Sequence, residues 1–226
     1  MFDDLGKSVF PGEVFKIFGI SVNQSAVSGF LTVVLVCLFA LVIRMFFIPR
    51  FKFVPGAMQM FLEWIVGAFD KMGAGLHKFN RFIGPFIFGS AAYICFGVLI
   101  ELLGYRPAIA DINAGLALGA SLFTIIFVSG IIKKKQKRLL RYANPLNIVT
   151  DAALPMAITF RLFGSILSGV IIMNILYTLF DYLFNLIHVP LPFPGLLSPV
   201  FVIFHALMQA YIFSQLTVTF VGEAVE

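Results

Sequence analysis

The sequence predicts an all-α polytopic membrane protein. It reads as one leading span, one interfacial amphipathic helix, a transmembrane hairpin and a long, strongly tilted helical hairpin. Three observations predict this. Hydrophobic residues make up 60% of the 226-residue chain, charged residues only 12%, and mean hydropathy is +1.00, whereas soluble domains carry about a quarter charged residues. The apolar runs are longer and less interrupted than a soluble core needs. The cations behind the net charge of +5 gather between those runs, where cytoplasmic loops carry them. They therefore point to topology and not to nucleic acid. No internal repeat is evident, and residues 1–226 read as a single membrane domain.

Residues 26–43, AVSGFLTVVLVCLFALVI, supply the first span, about the minimum length for crossing a bilayer. Arg44, Arg50 and Lys52 follow at once, which places that end in the cytoplasm and the N-terminus outside. The opening MFDD is acidic and the apolar run begins only near Ala26, so no secretory leader is expected. Residues 58–75 differ. Gln59, Glu63, Asp70 and Lys71 share one helical face, and Phe61, Ile65, Phe69 and Met72 the other. That is the pattern of a helix lying in the membrane interface. His77, Lys78 and Arg81 close it on the cytoplasmic side. Residues 82–132 read as a transmembrane hairpin that turns at Tyr105-Arg106-Pro107. Six cations between Lys133 and Arg141 mark its return to the cytoplasm. Residues 144–222 form the last unit. Its first helix runs for about forty residues, roughly 60 Å, twice what a bilayer core of about 30 Å requires. A proline-rich turn, HVPLPFPG, leads into a second apolar helix. So long a pair must tilt, and its C-terminal end returns to the cytoplasm.

Arg161 is the one charge between Asp151 and Asp181. A guanidinium stays cationic wherever it is placed. At the bilayer centre it costs about 2.5–3.5 kcal/mol on insertion scales. Neither aspartate stands at i±3 or i±4, so neither pairs with it along the helix. The partner must come from elsewhere, as from another chain. Arg161 reads as an electrostatic gate on an ion path; its place in mid-run argues against a snorkelling side chain. Ser165 and Ser168, with Gly164 and Gly169, let another helix approach closely. Asp151, about three turns earlier, is placed to line a water path. His205 and Gln209 share a face at i and i+4. A glutamine amide orders water beside a guanidinium. An imidazole in a membrane suits proton relay, with structural packing as the blander reading. Glu101 and Asp111 flank the outer turn and read as solvated helix ends. Gly115 and Gly119 read as packing of the hairpin. Cys37 and Cys95 read as small buried hydrophobes, with no disulfide or metal role. No phosphate-binding loop, HExxH or GxSxG is present, so no cofactor, no metal and no catalytic site is expected.

The stretch PLNIVTDAALPMAITFRLFGSILSG resembles subunit a of the F-type ATP synthase membrane sector around that family's essential arginine. QAYIFSQLT, from Gln209, is similar to the family's terminal QAxIF segment. FVPGAMQMFLE, IGPFIF and ADINAGLALG are weaker matches, and together they cover Phe53 to the C-terminus. The resemblance implies a non-catalytic stator subunit beside a rotor ring of c subunits, with peripheral-stalk b subunits and the remaining complex as partners. The membrane is implied as the inner (plasma) membrane of a bacterium, or an organelle inner membrane. It supplies the missing partner of Arg161: the carboxylate on each rotor subunit. Some positions depart from the pattern. Ser165 stands where most members have Asn, Val170 where many have Glu or His, Asn147 where many have Glu, and Glu101 where many have Asn. His205 takes a position that is usually apolar. With Val170 in place of a channel carboxylate, the ion stays open between proton and sodium.

The function so implied is ion conduction past a turning ring. Two half-channels, each open to one side, meet the ring at different places and Arg161 separates them. Ion translocation falls to Arg161, Gln209, His205, Asp151, Ser165 and Ser168. Gln209 is expected to face Arg161 across the long hairpin, with His205 in the same cleft. The competing reading is a self-contained secondary transporter or channel, against which the lack of inverted repeats in so short a chain argues.

Overall fold

The structure, a computed structural model, describes residues 15–17, 20–22, 24–51, 55–73, 80–103, 107–134, 145–187 and 193–225. Among these the chain is helical apart from a short antiparallel ribbon, β1 (Phe15–Ile17) and β2 (Ile20–Val22), with Phe15 opposite Val22. Six α-helices follow: α1 (Gln24–Val42), α2 (Ala57–Gly73), α3 (Asn80–Leu99), α4 (Ile112–Lys134), α5 (Pro145–Ile187) and α6 (Phe193–Val225). Five segments are long and apolar enough to cross a membrane: Ser25–Arg50, Ile83–Leu103, Ile112–Lys133, Pro155–Tyr182 and Leu197–Val225. The all-α polytopic class holds.

Helix α1 does not stop at Val42. It continues through a π-helical turn, Ile43–Phe47, and a 3-10 turn, Ile48–Arg50. Pro49 has no N–H to bond the carbonyl of Met45, so the regular ladder cannot run through it. The chain widens to an Ile48 N–H···O bond to Ile43 and then tightens, with Phe51 bonding Ile48 at 3.3 Å. On the inner face of α1, Ser25, Ser28 and Thr32 are buried. Ser28 and Thr32 donate to carbonyls of their own helix, at 3.0 and 2.7 Å, so these hydroxyls are satisfied inside an apolar setting. Small residues there let helices meet closely. A side chain at Gly97 would touch Thr32 and Ile109, and one at Gly29 would touch Ala108 and Tyr93. The other face of α1, with Phe30, Leu38, Phe39 and Leu41, is exposed, as lipid contact requires. Cys37 lies on that exposed face, which corrects its reading as a buried hydrophobe.

Helix α2 keeps the two-faced pattern. Gln59 donates to Glu63 at 2.8 Å on its polar side. Phe69 packs edge-on against Phe88 of α3 at 5.3 Å. Unlike the other long helices, α2 is not among the candidate spans.

The core forms where α3 to α6 meet. Ile83, Ile87, Ala91, Ile94 and Val98 recur at helical spacing on α3. They face a second stripe, Val202, Ala206, Ala210, Phe213 and Val221 on α6, with Leu122 and Ile126 of α4 and Ile158, Leu162 and Ile166 of α5 completing the cluster. α6 packs chiefly on α3 and α4, and α5 chiefly on α4; the two long helices touch each other far less. Helix α5 has 43 residues, about 65 Å at 1.5 Å per residue, which again exceeds the roughly 30 Å bilayer core.

The glycine pair of α4 was expected to pack the transmembrane hairpin on itself. It meets α5 instead. A side chain at Gly119 would sit 2.7 Å from the Pro155 carbonyl and 2.9 Å from Thr159 Oγ1, and one at Gly115 would sit 3.4 Å from the Thr159 methyl. The physical reason is visible at Thr159, whose hydroxyl lies 2.8 Å from the Pro155 carbonyl and 3.2 Å from the Gly115 carbonyl. Only glycine lets the two backbones come this close. Residues 52–54, 74–79, 104–106, 135–144 and 188–192 carry much of the basic-loop and turn reading and lie outside the described residues.

Candidate functional site

Arg161 sits one residue before Leu162 and two after Thr159, both of which are buried against the core. That phase turns Arg161 outward. It is exposed on a stripe with Phe160, Gly164, Ser168, Ile172 and Ile175. Among the described residues no ion pair or hydrogen bond engages it. No side chain lies within 4 Å of where a Gly164 Cβ would stand. The Ser165 and Ser168 hydroxyls donate back to Leu162 and Ser165 carbonyls at 2.9 and 2.8 Å. Their donors are spent on α5 itself, which leaves lone pairs to accept. The result is a fixed cation on a low, small-residue strip, bordered by apolar side chains and, among the described residues, without an anion paired to it.

Gln209 is turned to the core side of α6. It is 4% exposed, on the α6 stripe of Ala206, Ala210 and Phe213 that forms the core. No hydrogen bond joins it to Arg161. The side chains of Asn147, Asp151, Val170 and Asn174 lie outside the described residues. Asp111 caps α4: its carboxylate accepts the Asn113 N–H at 3.1 Å, the usual role of an aspartate before a helix.

Glu101 is not the solvated helix end that the sequence suggested. It stands in the 3-10 turn, Ile100–Leu103, that continues α3, and it is half-buried. The cause is α6, which packs along α3 to that turn. Glu101 and His205 line one cavity of about 10 Å³, with Ile166, Gly169, Met173, Phe201 and Val202, room for about one water. The His205 ring stacks on Phe201 at 6.4 Å, and its Nε2 is buried without a hydrogen-bond partner. Two of the positions that depart from the resembled pattern therefore meet across three helices. The signal for Glu101 was present in the sequence as a carboxylate at the edge of an apolar run. Its partner stood 104 residues away, which no helical spacing reveals.

Residues 27–222 match the family described as ATP synthase A chain. The chain is 24% identical over 230 residues to ATP synthase subunit a of Moorella thermoacetica, covering 96% of this chain and 97% of that one. It is 26% identical over 189 residues to ATP synthase subunit a 1 of Syntrophotalea carbinolica, with 78% and 76% covered. It is 31% identical over 176 residues to ATP synthase subunit a 1 of Chlorobaculum tepidum, with 74% and 75% covered.

Proposed function

Because the chain belongs to the ATP synthase A chain family, we propose that it is the stator subunit that conducts ions past a rotating ring of c subunits. One observation carries the reading: a permanent cation exposed on an apolar, small-residue strip of a membrane helix, with no ion pair to it among the described residues. Such a charge needs a partner that arrives from outside. A carboxylate on a passing ring helix fits it. The guanidinium favours the ionised carboxylate, so each arriving site releases its ion. The same fixed cation repels free cations and blocks a direct leak. Half-channels on the two sides of Arg161 would load and unload the ring. In this reading Gln209, Ser165, Ser168 and Asp151 serve the path as water-ordering groups, and His205 as a relay. Peripheral-stalk b subunits hold the chain still against the ring, and nucleotide chemistry belongs to other subunits. The membrane is the bacterial inner membrane, with the N-terminus outside and the C-terminus in the cytoplasm.

Cross-linking tests the reading. A cysteine at Gly164, beside Arg161 with open space above it, should form a disulfide with a cysteine on the ion-binding helix of the ring subunit. A cysteine at buried Leu122 should not. Absence of the Gly164 product, in membranes where the complex is assembled, would place the ring elsewhere.

A further inference from the structure

We infer that the Thr159 hydroxyl is the positioning group for Arg161: by bridging α5 to the backbone of α4 at Gly115, it sets the rotation at which the arginine meets the ring. The inference rests on the stator reading and adds to it a buried residue that acts through another.

Thr159 is 3% exposed, beside Ile158 and Leu162 on the buried face of α5. Other buried hydroxyls, those of Ser28, Thr32, Ser90, Ser214 and Thr217, donate to carbonyls of their own helices. Thr159 does this too, 2.8 Å from the Pro155 carbonyl oxygen, but it also lies 3.2 Å from the Gly115 carbonyl oxygen of α4. A hydroxyl has a single proton, shared here between an acceptor on each helix. Glycine brings the foreign carbonyl within reach. At Gly119 a Cβ would stand 2.9 Å from Thr159 Oγ1, and at Gly115 it would stand 3.4 Å from the threonine methyl. Apolar contact is non-directional, so on its own it lets a helix turn. A hydrogen bond has a preferred angle as well as a length, and so it holds rotation. Helix α5 needs such a hold. It touches α6 little and seats chiefly on α4. Pro155 lies inside it and offers no N–H to the carbonyl four residues earlier, the kind of place where helices bend. The bridge stands about one turn past that point, and Arg161 two residues past the bridge. Two residues are about 200° around a helix and 3 Å along it. Thr159 is therefore fixed on one side of α5 while Arg161 is presented on the other. A turn of about 20° would carry a side-chain tip, at a radius of about 5–6 Å, roughly 2 Å sideways. A shift of that size between reacting groups costs a rate about one to two orders of magnitude.

The test compares Thr159→Val, which keeps the shape and removes the hydroxyl, with Thr159→Ser, which keeps the hydroxyl. ATP synthesis is driven in vesicles holding the whole complex, by an imposed potential with protons and sodium both present, and each rate is divided by the amount of assembled complex. Thr159→Val is expected to be slower by about tenfold or more, and Thr159→Ser to keep most of the rate. In separate membranes, a cysteine at Gly164 paired with one on the ion-binding helix of the ring subunit reports the geometry. Its disulfide yield should fall with Thr159→Val and persist with Thr159→Ser. A threonine that only packs would change the amount of complex or its thermal midpoint and leave the rate per complex and the disulfide as they are; that result overturns the inference. Equal losses in Thr159→Val and Thr159→Ser overturn it too, since shape and not the hydroxyl would then matter. So does a slow Thr159→Val with an unchanged disulfide. Where Thr159→Val does not assemble, Thr159→Ala is read against Thr159→Ser: a lower rate per complex in Thr159→Ala supports the bridge, and equal rates overturn it. Arg161→Ala in the same membranes keeps the two readings apart. Synthesis that survives it removes the stator reading itself; synthesis lost there but unchanged in Thr159→Val removes only the bridge.

Discussion

Arg161→Ala is expected to abolish ion-driven ATP synthesis while leaving the complex assembled. The side chain is exposed and makes no hydrogen bond or ion pair among the described residues, so its removal opens no cavity and strands no buried partner there. Normal synthesis in membranes that hold wild-type amounts of complex would rule out the gate. Arg161→Lys should also fail substantially, since an ammonium lacks the planar fork and can shed its proton when desolvated. Arg161 stood out in the sequence because a lone charge in an apolar run admits few explanations. The half-buried setting of Glu101 was not legible. Its surroundings come from α5 and α6, and nothing in the local spacing of IELLG announces them. Gln209 shows the same limit from the other side. Its i, i+4 relation to His205 was readable, but the phase of α6 against the core, which buries it at 4% exposure, depends on which helices α6 packs against.

At the scale of the helix, Gly119 and Trp64 carry the sharpest expectations. Gly119→Ala would push a methyl to within 2.7 Å of a backbone oxygen of α5. Backbone cannot yield as a side-chain tip does, so the contact should destabilise the α4–α5 pair by about 1–3 kcal/mol, the usual cost of overpacking. A lower thermal midpoint of the purified complex would register it; an unchanged midpoint would mean that the helices are not seated as closely as this. Trp64 is the chain's one tryptophan and is 69% exposed on α2, where it stacks on Phe61 at 6.5 Å. A helix lying in the interface holds its tryptophan near the headgroups. In the isolated subunit in vesicles, shallow lipid-borne quenchers should therefore dim its fluorescence more than deep ones. Stronger quenching from mid-bilayer would contradict the interfacial placement. The elements themselves were legible from hydropathy and face alternation, because length and composition decide whether a helix can span. The end of α1 was less so: Pro49 sits beyond the apolar run, yet the helix carries on to it by changing its turn. The partner of the glycine pair was also hidden, since a small-xxx-small pattern announces a close contact without saying with what.

For the molecule as a whole, the packing gives α4 a central part. It touches both α5 and α6, while the two long helices touch each other little. The long hairpin is therefore held in position by the transmembrane hairpin and not by its own two arms. This leaves the outward strip of α5 around Arg161 free for a partner. It also ties the orientation of that strip to the orientation of α4. Helix α4 has 23 residues, about 34 Å at 1.5 Å per residue, enough to place its ends on opposite sides of a bilayer core near 30 Å. Ile112 and Lys133 are exposed at those ends, and the positive-inside rule predicts the cytoplasmic side for Lys133 from the cations that follow it in sequence. Cysteines placed singly at Ile112 and Lys133 should then react with a membrane-impermeant thiol reagent from opposite sides: Lys133→Cys in inverted vesicles, Ile112→Cys in intact cells. Glu223, exposed near the end of α6, should follow Lys133, because one further long hairpin separates them and brings the chain back to the same face. A cysteine at Glu223 that reacts from the Ile112 side would mean that α5 and α6 together cross an odd number of times. Arg161 and the cavity at Glu101 and His205 could then not lie on one transmembrane path, and the assignment of the half-channels would have to be redrawn.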